Sequence, residues 1–476
     1  MHFIDKRSKL IGTIGPASET YDVLKELIVN GMTTIRANFS HGDREEQLEK
    51  FVLARKIEKE LNIPISILLD TKGPEIRVGK MKDGAQLIKS NTEIVVYTTS
   101  ADYGNKVGTA SEITVSYEMD RDVKKGDKVL FDDGKLVTFV TSVSKGSIVV
   151  KTINTHLLKT NKRINLPGIE FSLPFLSEKD KEDIKFGIKN GIDYIAASFV
   201  NSAANVKELR EVANSVNGSK VQIISKIESN VAIQRIDEII EASDGIMIAR
   251  GDLGLEIPYF EVPYNQKKII RKCRKLGKTV IVATQMLDSM EKSPQPTRAE
   301  VTDVYWATEL GADATMLSGE SASGDFPVES VQVMSTINMR AEKEFYKKLY
   351  YPVQMQEAFD NSSKDERNKI AFEIAKKTQS GEFKFVIVRS TTGALLQTIA
   401  KYRPNTAIIG IVNDKDMIGK FGITNSVFVS LDSLDYFEAI KKDPSKAAET
   451  LKPFGVEKGD KFLVADSDYT TKEFKY

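Results

Sequence analysis

The chain is short of the residues that build many kinds of site. Among 476 residues there is one cysteine, Cys273, so no intrachain disulfide can form, and the count fits a reducing cytosol. Three histidines are too few for a multi-histidine metal centre. A bound metal must therefore rest on carboxylates, which favours Mg²⁺ or Mn²⁺ over Zn²⁺. Charge of either sign is not in excess, with 68 Lys and Arg against 67 Asp and Glu. No global field draws nucleic acid, and any anion site must be built locally. The opening stretch MHFIDKRSKLIGTIG has no apolar run long enough for a signal peptide, and no segment approaches the ~20 apolar residues of a membrane span. A cytoplasmic protein with neither a nucleic-acid nor a membrane partner is expected. There is no GxxxxGK[ST] loop and no HRD or DFG set, so a nucleotide would not be cradled by a standard loop.

What is present is a rhythm. Eight short, nearly continuous apolar runs recur: 9–15, 33–40, 65–70, 193–200, 221–229, 244–253, 279–287 and 314–320. Most are separated by helical patterns such as YDVLKELIVNG and VAIQRIDEIIEA. Runs of this kind suit parallel strands buried on both faces, and eight β-α units predict a (β/α)₈ barrel. Between about 73 and 165 the rhythm breaks into β-only segments with an Asp133-Gly134 hairpin signal, which predicts a small inserted β-barrel acting as a lid. From about 346 a new α/β pattern predicts a three-layer domain. The expected division is 1–71 with 167–345 for the barrel, 72–166 for the lid and 346–476 for the C-terminal domain.

The barrel runs end in polar residues, and in such a fold those ends converge on one mouth. Alternation puts Lys226 and Glu228 on one side of their strand, and Asp252 ends the next. Alone, Lys-x-Glu is equally well an ion pair inside a barrel. Beside Arg250-Gly251-Asp252 it reads as two carboxylates for one hard cation, with a lysine for developing negative charge. Gly251 would let backbone N–H groups approach an anion. Arg36 suits phosphate. Asn38, Ser40, Asp70 and Thr71 form an oxygen-only set suited to a weakly hydrated monovalent cation. His41 could contact a ligand, but it reads better as a hydrogen-bonded structural residue. Lys72, Arg77 and Lys162 at the base of the insert could clamp nucleotide phosphates, although solvated hinge lysines explain Lys72 and Lys162 equally well. Thr284 could hold a carboxylate or join a proton relay; a purely structural threonine fits equally well.

In this order, TIGPAS (13–18), NFSHG (38–42), LDTKGPEIR (69–77), NLPG (165–168), KIES (226–229), ARGDLG (249–254), ATQML (283–287), PTRAEVTDV (296–304) and MLSGE (316–320) resemble the pyruvate kinase family. The resemblance implies transfer of a phosphoryl group from phosphoenolpyruvate to ADP at the end of glycolysis, by a homotetramer using Mg²⁺ (or Mn²⁺) and K⁺. It implies Mg²⁺ on Glu228 and Asp252, and K⁺ on Asn38, Ser40, Asp70 and Thr71. Arg36 and Lys226 would meet the transferring group. Gly251, Asp252 and Thr284 would hold the substrate carboxylate, and Thr284 would relay a proton. Arg77 and Lys162, with Asn38, would meet the nucleotide. Glu75 is the residue that K⁺-requiring members carry.

Four positions depart from the family pattern, Ala37, Arg163, Ser229 and Gln295, and none is an expected ligand. The SerThrThrGly stretch at 390–393 and the closing segment 464–476 also differ from the effector loop and Gly-rich ending of sugar-phosphate-activated relatives, which leaves the effector open. Two other readings stand beside the kinase: a Mg²⁺-dependent barrel lyase or aldolase acting on pyruvate enolate, and a non-catalytic relative.

Overall fold

A computed structural model describes residues 4–170, 172–412, 414–430, 433–443, 446, 457–466 and 470–475. Among these, all eight apolar runs form strands of one closed parallel barrel. In chain order they are Lys9–Thr13, Thr34–Asn38, Ser66–Asp70, Tyr194–Ala197, Gln222–Ile227, Gly245–Ala249, Thr279–Ala283 and Ala314–Leu317. The runs are apolar on both faces because both are covered. Ile223 and Ile227 pack outward against helices, while Ile224 joins Ile11, Leu68, Tyr194, Ala196, Met247 and Ile281 in the barrel interior.

That alternation decides what reaches the mouth. Thr13 follows inward Ile11 by two residues, Asp70 follows Leu68, and Ser198 follows Ala196. Lys226 and Glu228 stand two and four residues beyond Ile224. Ile35, Ala37 and Phe39 belong to the outer core, so Arg36 and Asn38 turn inward. One expectation needs correcting: Asp252 does not end a strand. The sixth strand stops at Ala249, and Asp252 lies in the first turn of the helix Arg250–Glu256.

The inserted segment is a seven-stranded sheet with a separate two-stranded ribbon. The edges of the sheet meet through a Val78–Val115 bridge and a 3.0 Å bond from the Ser116 N–H to the Arg77 carbonyl, so the sheet curls round a core that includes Val96, Phe131 and Val150. The Asp133-Gly134 signal marks a hairpin between Lys128–Phe131 and Leu136–Ser144, with Asp132, Asp133 and Gly134 all at positive φ. Four short strands carry no alternation to read: Ile76–Arg77, Ala85–Ile88, His156–Lys159 and Arg163–Asn165.

The C-terminal region forms a five-stranded mixed sheet, parallel except for its last strand, Thr471–Lys475. Val386 and Val388 face one core, and Phe385 and Ile387 face another that includes Phe437 and Ile440, which makes three layers. At the foot of the barrel Ile423 enters the interior cluster, and Ser66 donates to the Gly419 carbonyl. Ser390 ends a strand and Gly393 (φ 75°) opens the helix Ala394–Lys401. Of the closing segment, residues 467–469 and 476 lie outside the described residues.

Candidate active site

The centre of the mouth is a buried network of charges. Lys226 Nζ lies 3.0 Å from Asp70 Oδ1, 3.1 Å from Glu228 Oε1 and 2.8 Å from Ser198 Oγ. Its ammonium donates hydrogen bonds to Asp70 and Ser198, and Glu228 completes the shell as an ion pair. Burial weakens the charged form of Lys226, but Asp70 and Glu228 outweigh it and hold the amine above the ordinary lysine range. Burial also opposes the charge of Asp70, yet Arg36 and Lys226 hold its carboxyl below the usual range. Arg36 Nε donates to Asp70 Oδ2 at 2.6 Å, and its Nη1 donates to Thr13 Oγ1 at 2.9 Å. Asp70 is thus the hub that fixes both cations.

Glu228 is less well compensated. Its Oε2 accepts the Phe199 N–H at 2.7 Å, from a backbone at φ 57°. Burial pushes its carboxyl up to about 7; Lys226 opposes the rise and Asp252 adds to it. A cation shared with Asp252 would offset that cost of burial. Among the described residues no group of three or more His, Cys, Asp or Glu could hold a metal. Two carboxylates without nitrogen or sulfur donors fit a hard divalent ion that takes its remaining ligands from substrate and water. For the monovalent set, Asp70 and Thr71 are buried, Thr71 O accepts from Ser198 Oγ at 2.7 Å, and Asn38 Oδ1 accepts the Ser40 N–H at 3.1 Å. The set is all oxygen, as a weakly hydrated cation requires, although Asp70 already serves Arg36 and Lys226.

The opposite side of the mouth is strained. Thr284 (φ 71°) and Gln285 (φ 51°) both adopt the left-handed region, costly for a β-branched residue. Arg250 holds the turn: its Nη2 donates to the Thr284 carbonyl at 2.8 Å, while Nη1 pairs with Asp303 at 2.5 Å. Asp303 belongs to the PTRAEVTDV motif, which gives that motif a physical task. Thr284 Oγ1 donates to the Ala283 carbonyl at 2.6 Å and accepts the Gly251 N–H at 2.7 Å. Beyond Arg36 a cleft of about 830 Å³ opens, lined by Thr13, Arg36, Asn38, His41 and Ser318. His41 is exposed there, and its carbonyl accepts from Gln47 Nε2 at 2.9 Å.

The expected nucleotide residues stand apart from this network. Arg77 Nη2 pairs with Glu75 at 2.6 Å, Lys72 Nζ lies 3.8 Å from the same carboxylate, and Lys162 pairs with Asp132 at 3.0 Å inside the inserted sheet. Two participants were not anticipated. Ser198 is a small hydroxyl in an apolar run, marked only by its place at the end of the fourth strand. Arg163 counted as a departure without consequence, yet its Nη1 pairs with Asp252.

Fixed positive charge beside paired carboxylates, at the mouth of a barrel and under an inserted β-domain, suits metal-assisted movement of an anionic group rather than hydride or acyl chemistry. The protein is a barrel-type, metal-dependent phosphotransferase. The family model "Pyruvate kinase, barrel domain" matches residues 5–331. The chain is 43% identical over 453 residues to a pyruvate kinase of Mycoplasma pneumoniae, covering 89% of each chain. It is 38% identical to one from Clostridium acetobutylicum, covering 97% of this chain and 96% of the relative. A crystal structure of a pyruvate kinase from Cryptosporidium parvum superposes with a TM-score of 0.90 at 34% identity, covering 99% of this chain and 96% of that one. The chain belongs to the pyruvate kinase family: it transfers the phosphoryl group of phosphoenolpyruvate to ADP, giving pyruvate and ATP. Among the described residues, no helix is long and apolar enough to cross a membrane.

Proposed function

We propose that the transfer occurs at the Lys226–Asp70–Glu228 network, with Mg²⁺ (or Mn²⁺) on Glu228 and Asp252 and K⁺ among Asn38, Ser40, Asp70 and Thr71. The observation that carries this reading is the threefold anchoring of Lys226, whose ammonium is oriented before substrate arrives. A divalent ion bound by the two carboxylates would neutralise charge developing on phosphoryl and enolate oxygens. Arg36, held by Asp70 and Thr13, offers its remaining in-plane N–H groups to the phosphoryl group. Lys226 stabilises the transferring group and the enolate oxygen left behind. Gly251, Asp252 and Thr284 line the place of the substrate carboxylate. The Thr284 hydroxyl now points its proton at Ala283; turned into the site, it would relay a proton to the enolate carbon, taking one from solvent water as it gives its own up. Arg77 and Lys162, with Asn38, meet the nucleotide, which requires Arg77 to share Glu75 and Lys162 to share Asp132. The reading extends to a homotetramer in the cytoplasm, checked by sedimentation and cell fractionation.

An assay coupling pyruvate formation to NADH oxidation tests the two cations. Chelation of divalent ions should abolish turnover and Mg²⁺ should restore it. Omitting K⁺ should lower the rate by roughly tenfold or more, because the anionic transition state loses one neutralising charge nearby. Full turnover in chelator would remove the divalent ion from the reading; an unchanged rate without K⁺ would remove the monovalent one.

A further inference from the structure

Arg163 is the point at which the inserted domain touches the metal-binding face of the barrel. It opens the strand Arg163–Asn165, pairs with Arg77 across the base of the sheet, and gives its carbonyl to the Asp132 N–H at 2.8 Å. Its backbone belongs to the insert. Its side chain does not: Nη1 pairs with Asp252 on the barrel, and the guanidinium carbon lies 5.0 Å from the centre of the Phe199 ring. The same Phe199 donates its N–H to Glu228. One guanidinium thus pairs with one of the carboxylates read above as divalent-ion ligands and packs on the residue whose N–H holds the other.

A second observation is independent of that pair. Arg163 Nη2 is buried and has no hydrogen-bond partner among the described residues. Leaving an arginine N–H unsatisfied is unfavourable, so the group stands where its charge is wanted rather than where its donors are best used. A cation so placed must be displaced or strongly repelled when a dication arrives at the same carboxylate.

We propose that Arg163 is a built-in counter-cation for the divalent site, neutralising Asp252 in the metal-free protein and competing with the incoming ion. The inference rests on the assignment of Glu228 and Asp252 as divalent ligands. Arg163 acts through Asp252 and is a positioning residue. A part-buried charged hydrogen bond must be surrendered for the metal to bind, so metal affinity in the absence of substrates is set partly by this side chain.

The test is Mn²⁺ titration of the full chain without substrates, reading free Mn²⁺ by electron paramagnetic resonance. Arg163→Met keeps an aliphatic stem over Phe199, and Arg163→Gly removes the side chain; both should bind Mn²⁺ about tenfold tighter, while Arg163→Lys should fall between them and the unaltered protein. Glu228→Gln should weaken binding in every background. If Arg163→Met and Arg163→Gly bind within twofold of the unaltered protein while Glu228→Gln weakens binding, the competition is overturned and the metal site stands. If Glu228→Gln leaves Mn²⁺ binding unchanged, the metal assignment itself falls, and the inference with it.

Discussion

Lys226→Ala will lower kcat by about a thousandfold or more while changing the KM for phosphoenolpyruvate far less. Removing one preorganised donor from a reacting oxyanion costs roughly 10²- to 10³-fold. Lys226 should exceed that range, because it carries a full charge, is 9% exposed, and has no rotamer left to search. Asp70, Ser198 and Glu228 have fixed the ammonium before substrate enters, so little reorganisation remains for the transition state. The effect should appear mainly in kcat, since negative charge on the enolate oxygen develops during transfer. Arg36 stays on Asp70 and still offers a phosphoryl contact, which is why binding persists. Lys226→Met separates chemistry from folding: it keeps the stem packed and should be equally inactive. A folded variant within tenfold of normal kcat would show that the lysine is a structural ion pair.

The barrel was legible because its strands are apolar on both faces, a pattern that surface strands do not share. The limits of those runs were less so. Arg250 and Gly251 follow Ala249 with no loop between strand and helix: the chain turns directly into a helix, which moved Asp252 from a strand end into a first turn. Lys226 and Glu228 could be placed on one side of their strand, and Arg36 and Asn38 on one side of theirs, because period-2 alternation fixes facing within a strand, while Asp70 was marked by its strand end. Contacts between distant segments were not accessible in that way. Arg163 and Asp252 lie 89 residues apart, on a two-domain junction, and nothing local to either reports the other. Ser198 was passed over for a different reason: serine between Ala197 and Phe199 disturbs no pattern, and its importance comes only from the lysine it faces.

The same blindness to distant pairs hides a buried charged joint between barrel and C-terminal domain, and breaking it has a large expected effect on stability. Arg403, at φ 52° and 4% exposed, donates through Nη2 to Asp313 Oδ2 at 2.6 Å. Asp313, 2% exposed, also accepts the Val280 N–H on Oδ2 at 3.0 Å and the Asn425 N–H on Oδ1 at 3.0 Å. One carboxylate therefore ties a barrel strand, a C-terminal loop and an arginine together. Arg403→Ala leaves that carboxylate buried without its counter-charge, which costs about 3–5 kcal/mol. Urea unfolding followed by the fluorescence of the only tryptophan, Trp306, should show the loss as a lower midpoint. The pair Arg403→Met with Asp313→Asn should recover only part of it: the buried charge is gone, but the amide keeps one acceptor oxygen for the two N–H groups of Val280 and Asn425. Turnover of the folded protein should change little, since this joint sits at the foot of the barrel and Lys226 at its mouth. If Arg403→Ala unfolds at the normal midpoint, the joint does not hold the two domains, and their packing rests on contacts such as Ile423 in the barrel interior.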